Sequence, residues 1–158
     1  MPPAVSAGLL VHRRGAAGLE VLIAHMGGPF WSRRDEGAWS LPKGEFDPDA
    51  ETPADAAVRE FREELGVDPP AGDRVLLGEF RYGSGKRVTV FAVAAGEWEA
   101  SDLVFGEFEM EWPPRSGRVA RFPEVDRIAW AAPADAERLL VAAQRPALVA
   151  LRARLGGA

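Results

Sequence analysis

The sequence contains no cysteine, which excludes disulfide bonds and thiolate metal sites. It also has no apolar run near the roughly 18 residues that a membrane-spanning helix needs. The segment at positions 1–7 lacks a basic stretch followed by an apolar run, so we predict no signal peptide. Together these absences favour a cytoplasmic protein that does not insert into membranes.

Positive charge is also scarce, because 24 acidic residues outnumber 19 lysines and arginines and give a net charge of −5. General nucleic-acid binding is therefore not expected, and a small-molecule partner fits better. The 158 residues are 47% hydrophobic, enough to bury a core. We expect residues 1–158 to form a single domain. A homodimer is compatible with this length, although no sequence feature locates an interface.

The most informative segment is a short acidic helix. Thr52 is a suitable N-cap for it, Pro53 suits its first position, and Gly66 is a left-handed stop. At about 100° per residue, the side chains at positions 60, 63 and 64 share one sector of the helix, while an apolar sector faces the core. The spacing therefore predicts a helix with one acidic face beside its buried face.

Carboxylates packed this closely repel one another, and a bound cation would remove that penalty. Hard oxygen ligands suit Mg²⁺, or Mn²⁺ as a substitute, better than zinc. The acidic helix therefore indicates a divalent-metal site. A solvated acidic face is the ordinary alternative for a glutamate-rich helix.

The segment from Gly44 to Val67 resembles the signature of the Nudix hydrolases, G-x5-E-x7-R-E-U-x-E-E-x-G-U, where U is a bulky aliphatic residue. Phe61 replaces one aliphatic residue, and six residues instead of five separate Gly44 from Glu51. The remaining positions match, and the preceding Trp39–Glu45 stretch is also similar to a subset of the family. The matching residues are Glu51, Arg59, Glu60, Glu63, Glu64, Gly66 and Val67.

The resemblance implies an α/β (α+β) Nudix fold, a mixed sheet sandwiched between helices. It also implies Mg²⁺-dependent hydrolysis of a phosphoanhydride, with the following roles. Glu60 and Glu64 would bind the metal, and Glu63 would bind it directly or through water. The Gly44 carbonyl would complete the metal shell, and Glu60 would also be the first candidate for the base. Arg59 would orient the carboxylates, and Glu51 would tie the loop to the helix.

Alternation of apolar residues predicts strands at 5–12, 20–25, 74–82, 87–95 and 127–131, with a short extended piece at 39–42. Helices are predicted at 135–143 and 146–155. The stretch at 97–118 has many acids, two prolines and two tryptophans, and we expect it to be irregular.

Other residues are weaker candidates for the site. Nudix enzymes commonly take a further acid from a later loop, and Glu107, Glu109 and Glu111 alternate so that a strand would place them on one face. Lys43, Lys86 and Arg87 are candidate phosphate contacts. Trp31 and Trp112 are the better candidates for stacking on a base, whereas Trp39 and Trp130 are expected in the core.

Several functions remain open. The substrate is expected to be a nucleoside diphosphate linked to another group, with faint similarity to the diadenosine polyphosphate hydrolases of the family. A nucleoside triphosphate pyrophosphohydrolase is the close alternative. A non-catalytic Nudix domain that senses a nucleotide or binds a partner is the alternative of a different class.

Overall fold

The computed structural model describes residues 4–156, and residues 1–3 and 157–158 lie outside it. Part of the segment at positions 1–7, for which no signal peptide is predicted, is therefore outside the described residues. A 3₁₀ turn at Ala142–Gln144 separates the last two helices. The elements, in order, are β1 (Val5–Gly15), β2 (Gly18–Met26), β3 (Trp39–Ser40), β4 (Lys43–Glu45), α1 (Pro53–Leu65), β5 (Val75–Arg81), β6 (Arg87–Ala94), β7 (Glu107–Glu111), β8 (Val119–Pro123), β9 (Val125–Ala131), α2 (Pro133–Leu139) and α3 (Arg145–Arg154).

The strands form a mixed sheet and a separate hairpin. The main path of the sheet runs β3-β2-β1-β6-β5, with β4 paired to β1 and β9 paired to β2. β1 runs parallel to β6 and antiparallel to β2 and β4. Within residues 4–156, β7 and β8 pair only with each other. Because β4 leads into the acidic helix, its pairing with β1 anchors that segment to the sheet.

The sheet has a hydrophobic core on each face, because successive side chains of a strand point to opposite sides. The α3 core contains Leu10 of β1 together with Leu148 and Leu151 of α3. The α1 core contains Leu9 and Val11 of β1 together with Phe61 and Leu65 of α1. Helices therefore cover both faces of a mixed sheet, which confirms the predicted fold class.

Two secondary-structure predictions are wrong in part. The helix predicted at 135–143 ends at Leu139, because the next residue, Leu140, is extended, fully buried and bridged to Trp39. The stretch predicted to be irregular at 97–118 contains β7, whose glutamates are exposed and alternate with half-buried Phe108 and Met110. Within residues 4–156, no helix is long and apolar enough to cross a membrane.

Candidate active site

The ends of α1 are fixed as the sequence predicts. The Thr52 hydroxyl oxygen accepts a hydrogen bond from the Asp55 amide at 3.2 Å. Gly66 has a φ of 74°, and its amide donates to the Arg62 carbonyl at 2.7 Å. A side chain at Gly66 would also clash with the Val104 carbonyl. Glycine is therefore required at Gly66 by both backbone conformation and packing.

Arg59 holds three carboxylates with one guanidinium group. Its Nε donates to both oxygens of Glu51, at 3.0 and 3.1 Å. Its Nη1 donates to Glu60 at 2.9 Å and to Glu63 at 3.1 Å. The hydrogen bond from Arg59 lowers the pKa of Glu51, while the bond to Glu51 is the main cause that raises the pKa of Arg59. Arg59 thus ties the loop before the helix to the acidic face.

Gly44 lies directly against Glu60. A Cβ atom at Gly44 would clash with the Glu60 carboxylate, so only glycine lets the two approach this closely. The antiparallel pairing of Gly44 with Ala7 holds this position. Further along the six-residue spacer the chain turns, and the amides of Ala50 and Glu51 donate to one carbonyl at 3.0 and 3.1 Å. The longer spacer therefore leaves the contact between Gly44 and Glu60 intact.

The acids of α1 have different environments. Burial raises the pKa of Glu64 to about 8, and the nearby Lys43 charge opposes this shift. Burial also raises the pKa of Glu60, against the opposing effect of Arg59. The Glu63 side chain is 59% exposed. The acidic face therefore runs from a buried carboxyl group to one in contact with solvent.

A further acid, Glu124, comes from the junction of β8 and β9 and is missing from the residues singled out in the sequence. The Gly106 amide donates to the Glu64 carbonyl at 3.2 Å, and the Glu124 amide donates to the Gly106 carbonyl at 2.7 Å. The negative charge of Glu124 contributes to the raised pKa values of both Glu60 and Glu64. Glu124 therefore belongs to the acidic site, although no local spacing in the sequence distinguishes it from other surface acids.

A cleft of about 1040 Å³ at one end of the sheet is lined by Gly44, the three glutamates of the acidic face and Glu124. Ser6 lies near the start of β1, Met26 ends β2 and Arg87 begins β6, so the cleft crosses the ends of three strands. Such a volume is at the upper end of the range for small-molecule sites. The cleft therefore has room for a nucleotide, with the carboxylates of α1 on one side.

All four weaker candidates outside the separate hairpin also line this cleft: Trp31, Lys43, Lys86 and Arg87. Lys86 lies 3.7 Å from a carboxylate oxygen of Glu45, and Arg87 lies 3.4 Å from that of Glu79. These ion pairs are exposed and therefore weak. The three basic residues thus bring positive charge to the cleft that contains the acids.

The remaining candidates lie at the separate hairpin. Glu107 lines the cleft, but Glu109 and Glu111 are not among the lining residues. Glu109 accepts a hydrogen bond from Arg121 at 3.1 Å, and Glu111 accepts one from the Arg115 amide at 2.8 Å. Trp112 is also outside the lining and packs edge-on against Phe30, with ring centroids 5.4 Å apart.

A known protein family matches nearly the whole sequence. The family model of the NUDIX domain matches residues 2–151. The chain belongs to the Nudix family. This confirms the family indicated by the acidic helix and groups the chain with Nudix hydrolases.

Solved structures show the same fold at low sequence identity. Ap4A hydrolase from C. elegans, in a binary complex, aligns with a TM-score of 0.64 and 21% identity over 98% of this chain and 99% of its own. The MutT protein from Methanosarcina mazei Go1 aligns with a TM-score of 0.62 and 18% identity over 98% and 96%. The NUDIX domain of Shewanella oneidensis NrtR, solved with ADP ribose, gives 0.60 and 17% over 98% and 90%.

Among curated proteins, the RNA pyrophosphohydrolase of Pseudomonas putida is 43% identical over 49 residues. The matching segment covers 30% of this chain and 30% of that relative. The similarity is thus local and leaves most of both proteins unmatched.

Proposed function

We propose that this Nudix protein is a divalent-metal-dependent pyrophosphohydrolase that cleaves a phosphoanhydride bond in a nucleoside diphosphate linked to another group. The observation that carries the proposal is the meeting of Glu60, Glu63 and Glu64 with Glu124 in a cleft large enough for a nucleotide. A solvated acidic face accounts poorly for this arrangement, because solvation requires neither the burial of Glu64 nor the close approach of Gly44 to Glu60.

The residues present fit Mg²⁺, with Mn²⁺ as a substitute. The candidate ligands are all oxygen donors, namely the Gly44 carbonyl and the carboxylates of Glu60, Glu63 and Glu64. Within residues 4–156, no three acidic or histidine side chains converge as a finished metal cluster. Arg59 engages one oxygen each of Glu60 and Glu63, so these side chains would have to adjust to bind an ion.

A divalent ion at this site would neutralise diphosphate charge and make a bound water more acidic. The chain itself supplies the other requirements. Arg59 orients the carboxylates, and Lys43, Lys86 and Arg87 supply charges for phosphate oxygens. Glu60 and Glu124 are the candidates for the base that accepts the proton of the attacking water. Burial raises the pKa of Glu64 to about 8 in the site without an ion, and a bound divalent ion would favour its ionised form.

Dinucleoside polyphosphates and nucleoside triphosphates are the proposed substrates. The fold shared with an Ap4A hydrolase and a MutT protein supports including both classes. The local similarity to an RNA pyrophosphohydrolase adds triphosphorylated RNA 5′ ends as a further substrate to test. The charge of −5 favours the small nucleotides over a long RNA.

The test is a substrate panel with Mg²⁺, Mn²⁺ or a chelator, with products separated by chromatography. The panel contains diadenosine tetraphosphate, the nucleoside triphosphates, ADP-ribose and a 5′-triphosphorylated oligonucleotide. ATP released from diadenosine tetraphosphate would identify a dinucleoside polyphosphate hydrolase, and pyrophosphate with a monophosphate would identify a triphosphate pyrophosphohydrolase. Both products should disappear with the chelator.

The variants Glu60→Gln and Glu137→Gln provide the matched control. Glu137 lies exposed on α2 and is not among the lining residues, so its variant should keep wild-type turnover. Loss of a positioned base should lower kcat of Glu60→Gln by about 10²–10⁴-fold. Tight nucleotide binding by the wild type without any product would instead support the non-catalytic sensor.

A further inference from the structure

A buried glutamine lies behind the cleft, and the acidic site does not use it. Gln144, in the 3₁₀ turn before α3, is 0% exposed. Its side chain hydrogen-bonds to Ser40 and Tyr82, both of which line the cleft. It thus links the C-terminal part of the chain to the wall of the cleft.

The backbone determines which way the carboxamide of Gln144 points. The Leu41 amide donates to Gln144 Oε1 at 2.9 Å. A backbone N–H can only donate, so the group that it contacts must be the oxygen. Gln144 Nε2 is therefore the donor toward the Ser40 hydroxyl at 2.9 Å and the Tyr82 hydroxyl at 2.8 Å. Both N–H groups of the carboxamide are used.

This polarity determines what the two hydroxyl groups can offer a ligand. Each hydroxyl has one hydrogen to donate. That of Ser40 goes to the Leu41 carbonyl at 2.7 Å. The Tyr82 oxygen accepts from Gln144, and in the described part of the chain its hydrogen has no acceptor. Tyr82 therefore has a free donor in the cleft, whereas the hydrogen of Ser40 is already engaged.

Tyr82 also lies on the side of the sheet opposite the acids. Trp31 and Tyr82 pack against the α3 core, whereas the three glutamates are on α1, which covers the other face. If the diphosphate of a nucleotide lies at the glutamates, its nucleoside end extends toward Trp31 and Tyr82. Bases and ribose both carry acceptor atoms that a phenolic O–H can recognise.

We propose that the Tyr82 hydroxyl is a hydrogen-bond donor to an acceptor atom at the nucleoside end of the ligand, and that Gln144 is the positioning residue that sets its direction. The ligand class is a nucleotide whose base or sugar presents an acceptor oxygen or nitrogen. The placement of the nucleoside end rests on the proposed function, since it takes the diphosphate to lie at the acids.

The experiment compares the binding of AMP and of inorganic pyrophosphate by calorimetry in the presence of Mg²⁺. Tyr82→Phe removes the donor, and we expect a five- to tenfold weaker affinity for AMP, about the effect of one hydrogen bond. Pyrophosphate has no nucleoside, so its affinity should stay within about twofold. Glu137→Gln is the control and should leave AMP binding unchanged, because Glu137 is exposed on α2 and does not line the cleft.

Gln144→Glu tests the positioning role. The carboxylate still accepts from Leu41 but also accepts from Tyr82, which turns the hydroxyl hydrogen away from the cleft. AMP affinity should fall as in Tyr82→Phe, and the double variant should lose no more than either single variant. Thermal unfolding checks that the variant folds. If it does not, Gln144→Met keeps the volume and removes both donors, and the same non-additivity is expected.

Unchanged AMP affinity in Tyr82→Phe would overturn the proposal, and so would an equal loss for pyrophosphate. Additive losses in the double variant would refute the role of Gln144. Because calorimetry needs no turnover, the outcome is separable from the proposed function. If the protein binds AMP through Tyr82 but hydrolyses no substrate, the nucleoside subsite is supported and the proposed hydrolase function is refuted.

Discussion

The two walls of the cleft are built from the sequence in different ways. The acidic wall takes Glu60, Glu63 and Glu64 from five consecutive positions of one helix, so helix geometry alone brings them together. The aromatic wall takes Trp31 from the loop after β2 and Tyr82 from the turn after β5. The residues proposed to carry the chemistry are therefore visible in the sequence, whereas those proposed to contact the nucleoside come together only in the fold.

The largest effect in this series is expected when a methyl group is added to the acidic wall. In Gly44→Ala, the added Cβ displaces the Glu60 carboxylate. We expect kcat to fall by about 100-fold, since a displacement near 1 Å in a catalytic site has this effect. Gly72→Ala is the control, because its Cβ would make an ordinary contact at 3.5 Å. Steady-state kinetics of both variants test the prediction, and equal activity would contradict it.

The next largest effect separates two acids that line the same cleft. Glu124 acts electrostatically on Glu60 and Glu64, whereas Glu107 lies 3.6 Å from Arg121. We expect Glu124→Gln to lower turnover by about 10–100-fold, as for residues that tune a metal site. Glu107→Gln should have a much smaller effect. If Glu107→Gln loses more turnover than Glu124→Gln, the acids of the site are assigned wrongly.

Arg59 tests whether the acidic wall needs one guanidinium group to organise it. Lysine keeps the charge but cannot contact three carboxylates with a planar fork. We expect Arg59→Lys to weaken Mg²⁺ binding by about tenfold, measured as the Mg²⁺ concentration for half-maximal activity. Arg62→Lys is a suitable control, since Arg62 pairs with exposed Asp68. An unchanged Mg²⁺ requirement in Arg59→Lys would show that the carboxylates keep their orientation without the guanidinium group.

The last prediction concerns the dependence of stability on pH. The pKa of Glu64 rises from 4.5 to about 8 in the fold. Below pH 4.5 the group is neutral in both states, whereas between these values the unfolded chain loses the proton that the folded chain keeps. The metal-free protein should therefore lose stability as pH rises through this window. Thermal unfolding without metal should show a smaller loss for Glu64→Gln than for the wild type, and parallel curves would contradict the shift.

The predictable part of the structure is local. The acidic helix, its caps and the alternating strands follow from patterns within a few residues. The end of α2 does not follow from its local pattern, because Leu140 bonds to Trp39, about a hundred positions away. Glu124 is not apparent from local patterns for a similar reason, because its place beside Glu64 depends on the backbone of Gly106 and on the pairing of β7 with β8.

The buried position of Gln144 could not be predicted from composition or spacing. A glutamine is ordinarily exposed. Its burial follows from the packing of α3 on the sheet, and its direction follows from the Leu41 amide. The burial and direction of Gln144 therefore depend on long-range contacts that local sequence patterns do not show.

The most direct test of the division between the two walls is the rate of product release at saturating nucleotide and Mg²⁺, measured side by side for Glu60→Gln and Tyr82→Phe. We predict that Glu60→Gln is slower than the wild type by about 10²–10⁴-fold. Tyr82→Phe should reach the wild-type rate once the nucleotide saturates it. A wild-type rate in Glu60→Gln, or an equal loss of rate in both variants, would contradict this assignment.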